Sequence, residues 1–287
     1  MKKIDIPVVA VTGPGSQPAD EDGAALAFMQ LPDDMSTFSA PQIPEAEEIT
    51  GLDAALALTA DLVALLKNYQ KDDQARVIEL NALNEQNRQF FDQLLGEGEV
   101  SVQCGGEINA LIQESVLAGV WRVQYTDGQQ NIIRDTIEVA HIPGVVSELS
   151  FLNAQETLMA QPLDIPENVY NAPPLLAEIS DKLPEYRPEN EPHVINLSLL
   201  PHTEEDILFL AEHLGIGPIV ILSRGYGNCR ISSTATQNVW WVQYYNSQDT
   251  LILNTIEISN VPEVACAALE DIEESAQRLE EILSIYQ

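Results

Sequence analysis

Apolar positions along this chain change their spacing several times, and the changes recur in the same order in its second half. From Leu52 the apolar face continues through Leu56, Thr59, Val63 and Leu66 in steps of four and three, which predicts an amphipathic helix to about Tyr69. A polar loop and a short apolar segment, Val77-Ile78-Glu79-Leu80, follow. Asn84 then stands as an N-cap before a helix carrying Phe90, Phe91, Leu94 and Leu95, which Gly96 ends. Beyond it the spacing becomes that of strands: Val100–Gln103, Ile108–Ser115, Val120–Tyr125 and Ile132–Val139, with turns at Gly105-Gly106 and Asp127-Gly128. Alternation and short turns predict an antiparallel meander, closed by a helix after Pro143.

The second half repeats this order. A helix from Leu175 to Tyr186, shortened by Pro184, precedes the short segment Val194–Leu197. Thr203-Glu204-Glu205-Asp206 has the form of a capping box, in which a hydroxyl takes an orphan N–H and a carboxylate sits near the positive helix end. Ile207, Leu208, Leu210, Ala211 and Leu214 supply the expected buried face, and Gly215 stops the helix. Strands are expected at Ile219–Leu222, Cys229–Ala235, Val239–Tyr245 and Leu251–Ile258. A last helix is expected from Pro262, with a seam through Ala265, Leu269, Ile272, Ala276, Leu279, Leu283 and Tyr286. That seam reads either as cover for its own sheet or as a contact for a partner helix or a second copy, a homo-oligomer.

Superposed as text, Leu95–Val145 lies on Leu214–Val264 without a gap, Trp121 falling on Trp240 (240 − 121 = 119). The same offset pairs Gly96, Gly98 and Gly106 with Gly215, Gly217 and Gly225. An internal repeat means one supersecondary unit used twice. The predicted fold is therefore α+β: two tandem homologous units, each with helices packed on a mainly antiparallel β-meander sheet. Residues 1–50 form an acidic arm rich in proline and glycine, 51–160 the first unit, and 161–287 a linker plus the second unit.

Charge narrows the partners. Lys and Arg number 13 against 45 Asp and Glu, a net charge of −32. Phosphate backbones and anionic membrane surfaces are repelled, whereas a basic partner is drawn in. No apolar run is long enough to span a bilayer. Asp5, Pro7 and Pro14 interrupt what would be a signal-peptide core, so the expected location is the cytoplasm.

Candidate chemistry is sparse. In Ser223-Arg224-Gly225-Tyr226-Gly227-Asn228-Cys229, two glycines permit a tight turn that gathers a guanidinium, a phenol and a thiol. One reading is a recognition loop presenting Arg224, Tyr226 and Asn228; the other is a strand connection whose glycines serve geometry. Trp240 and Trp241 must face opposite sides of the sheet. Trp240 aligns with Trp121 and is expected in the core. Trp241 aligns with Arg122 and is expected to face outward, as a partner anchor or beneath the N-terminal arm. Cys104, Cys229 and Cys266 lack ligand spacing, so buried structural thiols are expected. A metal or iron–sulfur carrier using Cys229 and Cys104 is the alternative, and a Cys229/His213 nucleophile pair has no signature behind it. No phosphate loop, dinucleotide fingerprint or metalloprotease motif occurs, so no enzyme, catalytic residue, cofactor or metal is expected.

The run from Leu214 to Leu279, with RGYGNC, NVWWVQYYNSQDTLILNTIEI and VPEVACAALEDIEESAQRL, closely resembles the C-terminal region of the HupH/HyaF hydrogenase expression/formation proteins. LLGEGEVSV, IQESVLAGVWRV and the GPGSQP of Gly13 to Pro18 resemble that family's upstream signatures. The resemblance implies a non-catalytic assembly factor for uptake [NiFe] hydrogenases. It would act on the iron–sulfur small subunit precursor before twin-arginine export, beside a thioredoxin-like companion. The signature positions are Gly13 to Pro18, Gly96, Gly98, Glu114, Trp121, Gly225 to Gly227, Trp240, Glu257, Pro262 and Glu263. Among them Glu257 joins Arg224, Tyr226, Asn228 and Trp241 as an expected partner-binding residue.

Overall fold

A computed structural model describes residues 51–70, 74–106, 108–158, 165–225 and 227–286. The N-terminal arm, with the Gly13–Pro18 signature, lies outside them, as does Tyr226.

The first half contributes α1 (Asp53–Lys67), β1 (Arg76–Glu79), α2 (Glu85–Leu95), β2 (Val100–Cys104), β3 (Asn109–Glu114), β4 (Val120–Thr126), β5 (Ile132–Val139) and α3 (Gly144–Leu149). The second contributes α4 (Ala172–Lys182), β6 (His193–Asn196), α5 (Glu204–Leu214), β7 (Ile219–Ser223), β8 (Asn228–Ser233), β9 (Val239–Tyr245), β10 (Leu251–Ile258) and α6 (Leu269–Ser284). Among the described residues, the strands form a single sheet in the order β1-β5-β4-β3-β2-β7-β8-β9-β10-β6. Every ladder is antiparallel. The order reads alike from either edge. At the centre, β2 pairs with β7 so that Val102 faces Ile221, its own counterpart at the offset of 119.

Local chemistry sets these boundaries. Asn84 caps α2 by accepting from the Asn87 backbone N–H at 2.9 Å. Thr203 and Asp206 make both halves of the expected capping box on α5, at 3.0 Å each. Asp206 reaches further: its Oδ1 accepts from the backbone N–H groups of Tyr170, Asn171 and Ala172, pinning the start of α4 to that of α5. In the first half Asn87 does the same for α1, accepting from Ala55 N–H at 2.8 Å and donating to Gly51 O. Gly98 and Gly217 lie against the neighbouring strand so closely that a Cβ on either would stand 2.3 Å from an atom of Ser115 or Ser233.

Three apolar clusters fill the two faces. On one face α3 and the 3₁₀ turn Glu263–Ala265 cover the central strands, burying Trp121, Trp240, Val102, Ile221 and both Cys104 and Cys229. On the other, α1, α2 and α6 cover the first half-sheet and α4 and α5 the second. These two tryptophans each donate the indole N–H to a backbone carbonyl at 2.9 Å, Trp121 to Ala140 and Trp240 to Asn260.

The last helix starts later than expected from Pro262 and packs elsewhere. Pro262 begins only the 3₁₀ turn; Ala267 N–H then bonds His141 O at 2.9 Å, and α6 starts at Leu269. The seam of α6 does not cover its own half-sheet. Ile272, Ala276, Leu279, Leu283 and Tyr286 pack with Leu62, Leu66, Phe90 and Phe91 of the first half. Tyr286 meets Phe90 edge-on, with centroids 5.8 Å apart. The surface on which a homo-oligomer through the C-terminal helix was expected is therefore consumed within the chain. Among the described residues no helix is long and apolar enough to cross a membrane.

Candidate functional site

The turn from Arg224 to Asn228 joins β7 to β8 at the end of the central ladder. Arg224 N–H donates to Glu99 O at 3.0 Å, and a Cβ at Gly225 would stand 2.2 Å from a Glu99 carboxylate oxygen. Gly227 has φ +101, a left-handed conformation that glycine adopts without strain. Arg224, Gly225, Gly227 and Asn228 are exposed, and Asn228 Nδ2 donates to Asp249 at 3.4 Å. Gly227 thus serves geometry, whereas at Gly225 the exposed Glu99 side chain is free to move aside, and the turn also presents polar side chains to solvent.

Acidic groups gather behind this turn. Gly98, next to Glu99, donates its N–H to Glu114 O at 2.7 Å. The Glu114 side chain is 8% exposed, and burial pushes its carboxyl up to about 7. The Gly119 N–H, 3.5 Å away, opposes that rise, while the carboxylates of Glu99 and Asp271 add to it. Glu114 as a titrating group was not legible in the sequence, because its state depends on what covers it.

Trp241 does not face outward. It is 5% exposed and packs in the cluster with Ile207, Phe209, Leu210, Val239 and Ile256, its indole N–H bonding Asn254 Oδ1 at 2.6 Å. The reason lies in α5, which lays Phe209 on that face. Leu208, expected on the buried side of α5, is instead 48% exposed. At the corresponding place in the first half, Arg122 forms a two-pronged pair with the buried Asp135 at 3.0 and 2.8 Å and also binds Asp92. The offset of 119 carries Arg122 to Trp241 and Asp135 to Asn254, so one location holds an ion pair in one half and an indole–amide bond in the other.

Glu257 lies on β10, half-buried, on the face that holds Trp240. Burial raises its carboxyl, and a hydrogen bond from Thr255 Oγ1 at 3.2 Å works against the rise. The expected residues therefore do not converge: Arg224 and Asn228 share the turn, Glu257 stands two strands away, and Trp241 is on the opposite face.

The thiols are similarly dispersed. Cys104 lies opposite Ile219 and Cys229 opposite Ser223 on β7, about 13 Å apart along the strand. Burial pushes each thiol up to about 12; Tyr244, bonded to Cys229, offsets this in part for Cys229. His213 is held by Phe209 O through Nδ1 at 2.8 Å, on the face opposite Cys229, so no dyad forms. No group of three or more His, Cys, Asp or Glu able to hold a metal occurs among the described residues.

The family described as "HupH hydrogenase expression protein, C-terminal conserved region" matches residues 52–156 and 169–286. The chain belongs to the HupH family. Among its HupH-family relatives, the hydrogenase expression/formation protein HoxQ of Cupriavidus necator is 48% identical over 99% of this chain and 98% of its own length. HupQ of Azotobacter chroococcum is 46% identical over 94% of each chain, and the hydrogenase-1 operon protein HyaF of Escherichia coli 33% identical over 94% and 93%. A solved structure of the hydrogenase expression protein HupH from Thiobacillus denitrificans is 31% identical over 40% of this chain and 95% of its own, with a TM-score of 0.37. The family region spans both half-sheets, from α1 to α6.

Proposed function

We propose that this chain is a non-catalytic maturation factor for an uptake [NiFe] hydrogenase, and that it holds the iron–sulfur small subunit precursor in the cytoplasm before twin-arginine export. The observation that carries the reading is similarity over more than nine-tenths of both chains to proteins named for hydrogenase expression and formation. Supporting it, Cys104 and Cys229 are buried, which raises both thiols well above their usual range and keeps them protonated, while Cys266 is half-buried. The strong negative charge suits a client with a basic leader. A thioredoxin-like protein acts beside it in this reading. The two halves are read as copies of one unit, 51–160 and 161–287, of which the second presents the client-facing turn.

The test is capture of the small subunit precursor by the tagged full-length chain. Arg224→Ala, Asn228→Ala and Tyr226→Ala are expected to reduce recovery while Tm stays within a degree or two. Equal recovery by all three, or none by the unaltered chain, sinks the reading. Trp241→Ala is unsuitable here because it removes core packing.

A further inference from the structure

At the end of the β2–β7 ladder opposite the Arg224 turn, two adjoining hollows form one apolar groove. A cavity of about 490 Å³ is lined by Ile108, Leu152, Ile216 and Pro218, and a second of about 500 Å³ by Leu208, Ile216 and Glu212. Ile216 belongs to both. These side chains are strongly exposed: Ile216 58%, Leu208 48%, Leu152 47% and Ile108 43%. Contiguous exposed apolar surface of this kind marks a contact site in a folded protein.

The chain supplies its own control. At the corresponding positions of the other half, Ile216 is Glu97, Leu208 is Gln89, Pro218 is Glu99 and Ile108 is Gly227. Their surroundings match: Gly98 N–H bonds Glu114 O as Gly217 N–H bonds Ser233 O, and Gly96 and Gly215 end α2 and α5 alike. The fold thus accepts polar residues or glycine at every one of these places. Apolar side chains in the groove answer to something other than folding.

We propose that this groove seats an apolar segment of a positively charged polypeptide other than this chain. Charge selects that occupant. Glu212 lines the groove and the whole molecule carries −32, so a second copy is repelled and a basic partner attracted. Residues 1–50, where acids far outnumber Lys2 and Lys3, are repelled by the same field. The proposal rests on the reading that the client is a polypeptide, and it places the client's apolar stretch away from the Arg224 turn.

The probe is a fluorescein-labelled peptide with a Leu/Phe centre and Arg/Lys ends, titrated with the full-length chain in an anisotropy assay. Companion peptides carry Glu ends or a Ser-substituted centre. Binding is expected for the first peptide only. Ile216→Glu and Leu208→Gln, which import the other half's residues, are expected to weaken it about tenfold or more with Tm unchanged. Overturning results are unchanged binding in both variants, no binding by the unaltered chain, or equal binding of the Glu-ended peptide. A dimer in sedimentation that Ile216→Glu dissociates would give the groove to a second copy. Crosslinking of benzophenone-labelled Ile216→Cys to residues 1–50 would give it to the chain's own arm; either outcome overturns the proposal. Lost peptide binding by Ile216→Glu with undiminished capture of the small subunit precursor overturns the groove as the client's seat and leaves the function standing. Intact peptide binding with no precursor capture by the unaltered chain does the reverse.

Discussion

Glu114 is a carboxyl placed where charge is costly, and it gives the fold a pH dependence of definite sign. Below about 4.5 the folded and unfolded chains both hold its proton; between there and about 7 only the folded chain does, so stability falls as pH rises through that window. The full cost, about 3 kcal/mol for a shift of this size, is present at pH 8. Glu114→Gln keeps an acceptor for the Gly119 N–H and removes the charge. Urea unfolding is expected to show the variant more stable than the unaltered chain by up to about 3 kcal/mol at pH 8 and equal to it near pH 4. A difference that does not change with pH would mean that Glu114 does not titrate in that window. Trp241 teaches a related lesson about what sequence reveals. The core position of its neighbour Trp240 is legible in the sequence, because the offset to Trp121 and strand alternation suffice for that. The burial of Trp241 is not legible in the sequence because Arg122, its counterpart, suggests a wet face. Only the packing of α5 reveals that the ion pair of one half is replaced by an indole bonded to Asn254 in the other. Trp241→Ala is expected to cost about 3–5 kcal/mol by denaturant unfolding, a stability effect distinct from loss of a surface anchor.

Helix ends were legible and helix destinations were not. Asn84, Gly96, the Thr203/Asp206 box and Gly215 set their boundaries through chemistry that spans a few residues, which a sequence displays directly. What Asp206 does across 34–36 positions was hidden, since the order of elements says nothing about which helix starts lie side by side. Its carboxyl is buried, which opposes ionisation, yet N–H donors from Thr203, Ala172, Asn171 and Tyr170 outweigh that and hold it below the usual carboxylate range. Stability from this group is present above about pH 4 and is lost as pH falls beneath it. Asp206→Ala should cost more than the roughly 1 kcal/mol of a lone cap, about 3 kcal/mol, because three further N–H groups lose their acceptor. Hydrogen exchange at residues 170–172 should speed up with it; unchanged exchange there would refute the anchoring role. The seam of α6 shows the same limit. Heptad-like spacing announces that a helix has a partner, but crossing to α1 instead of covering its own strands is a property of the connection through Ala267 and His141. Leu279→Ala is expected to lower stability by about 2–5 kcal/mol and to loosen α1, far away in sequence.

At the scale of the whole molecule, the central ladder is the feature with the largest consequence. β2 and β7 meet antiparallel with Val102 opposite Ile221, and each of these residues is the other's counterpart at the offset of 119. A register of that kind is indifferent to exchange: replacing the first half by a second copy of the later half would bring β7 against β7 with Ile221 facing Ile221. The same replacement would return α6 to a partner of the right kind, since α4 occupies in the second half the place that α1 holds in the first. An isolated β7 would otherwise be an open edge bearing the buried side chains Ile219 and Ile221, a template for pairing. Residues 165–287 made alone are therefore expected to form a symmetric dimer, seen as twice the monomer mass in sedimentation equilibrium at micromolar concentration. Ile221→Lys would set two ammonium groups side by side at the axis and is expected to return the fragment to a monomer. A fragment that is monomeric before that substitution, with exchange-protected amides along β7, would show that the half-sheet needs no neighbour, and the symmetry of the central register would then carry no energetic weight.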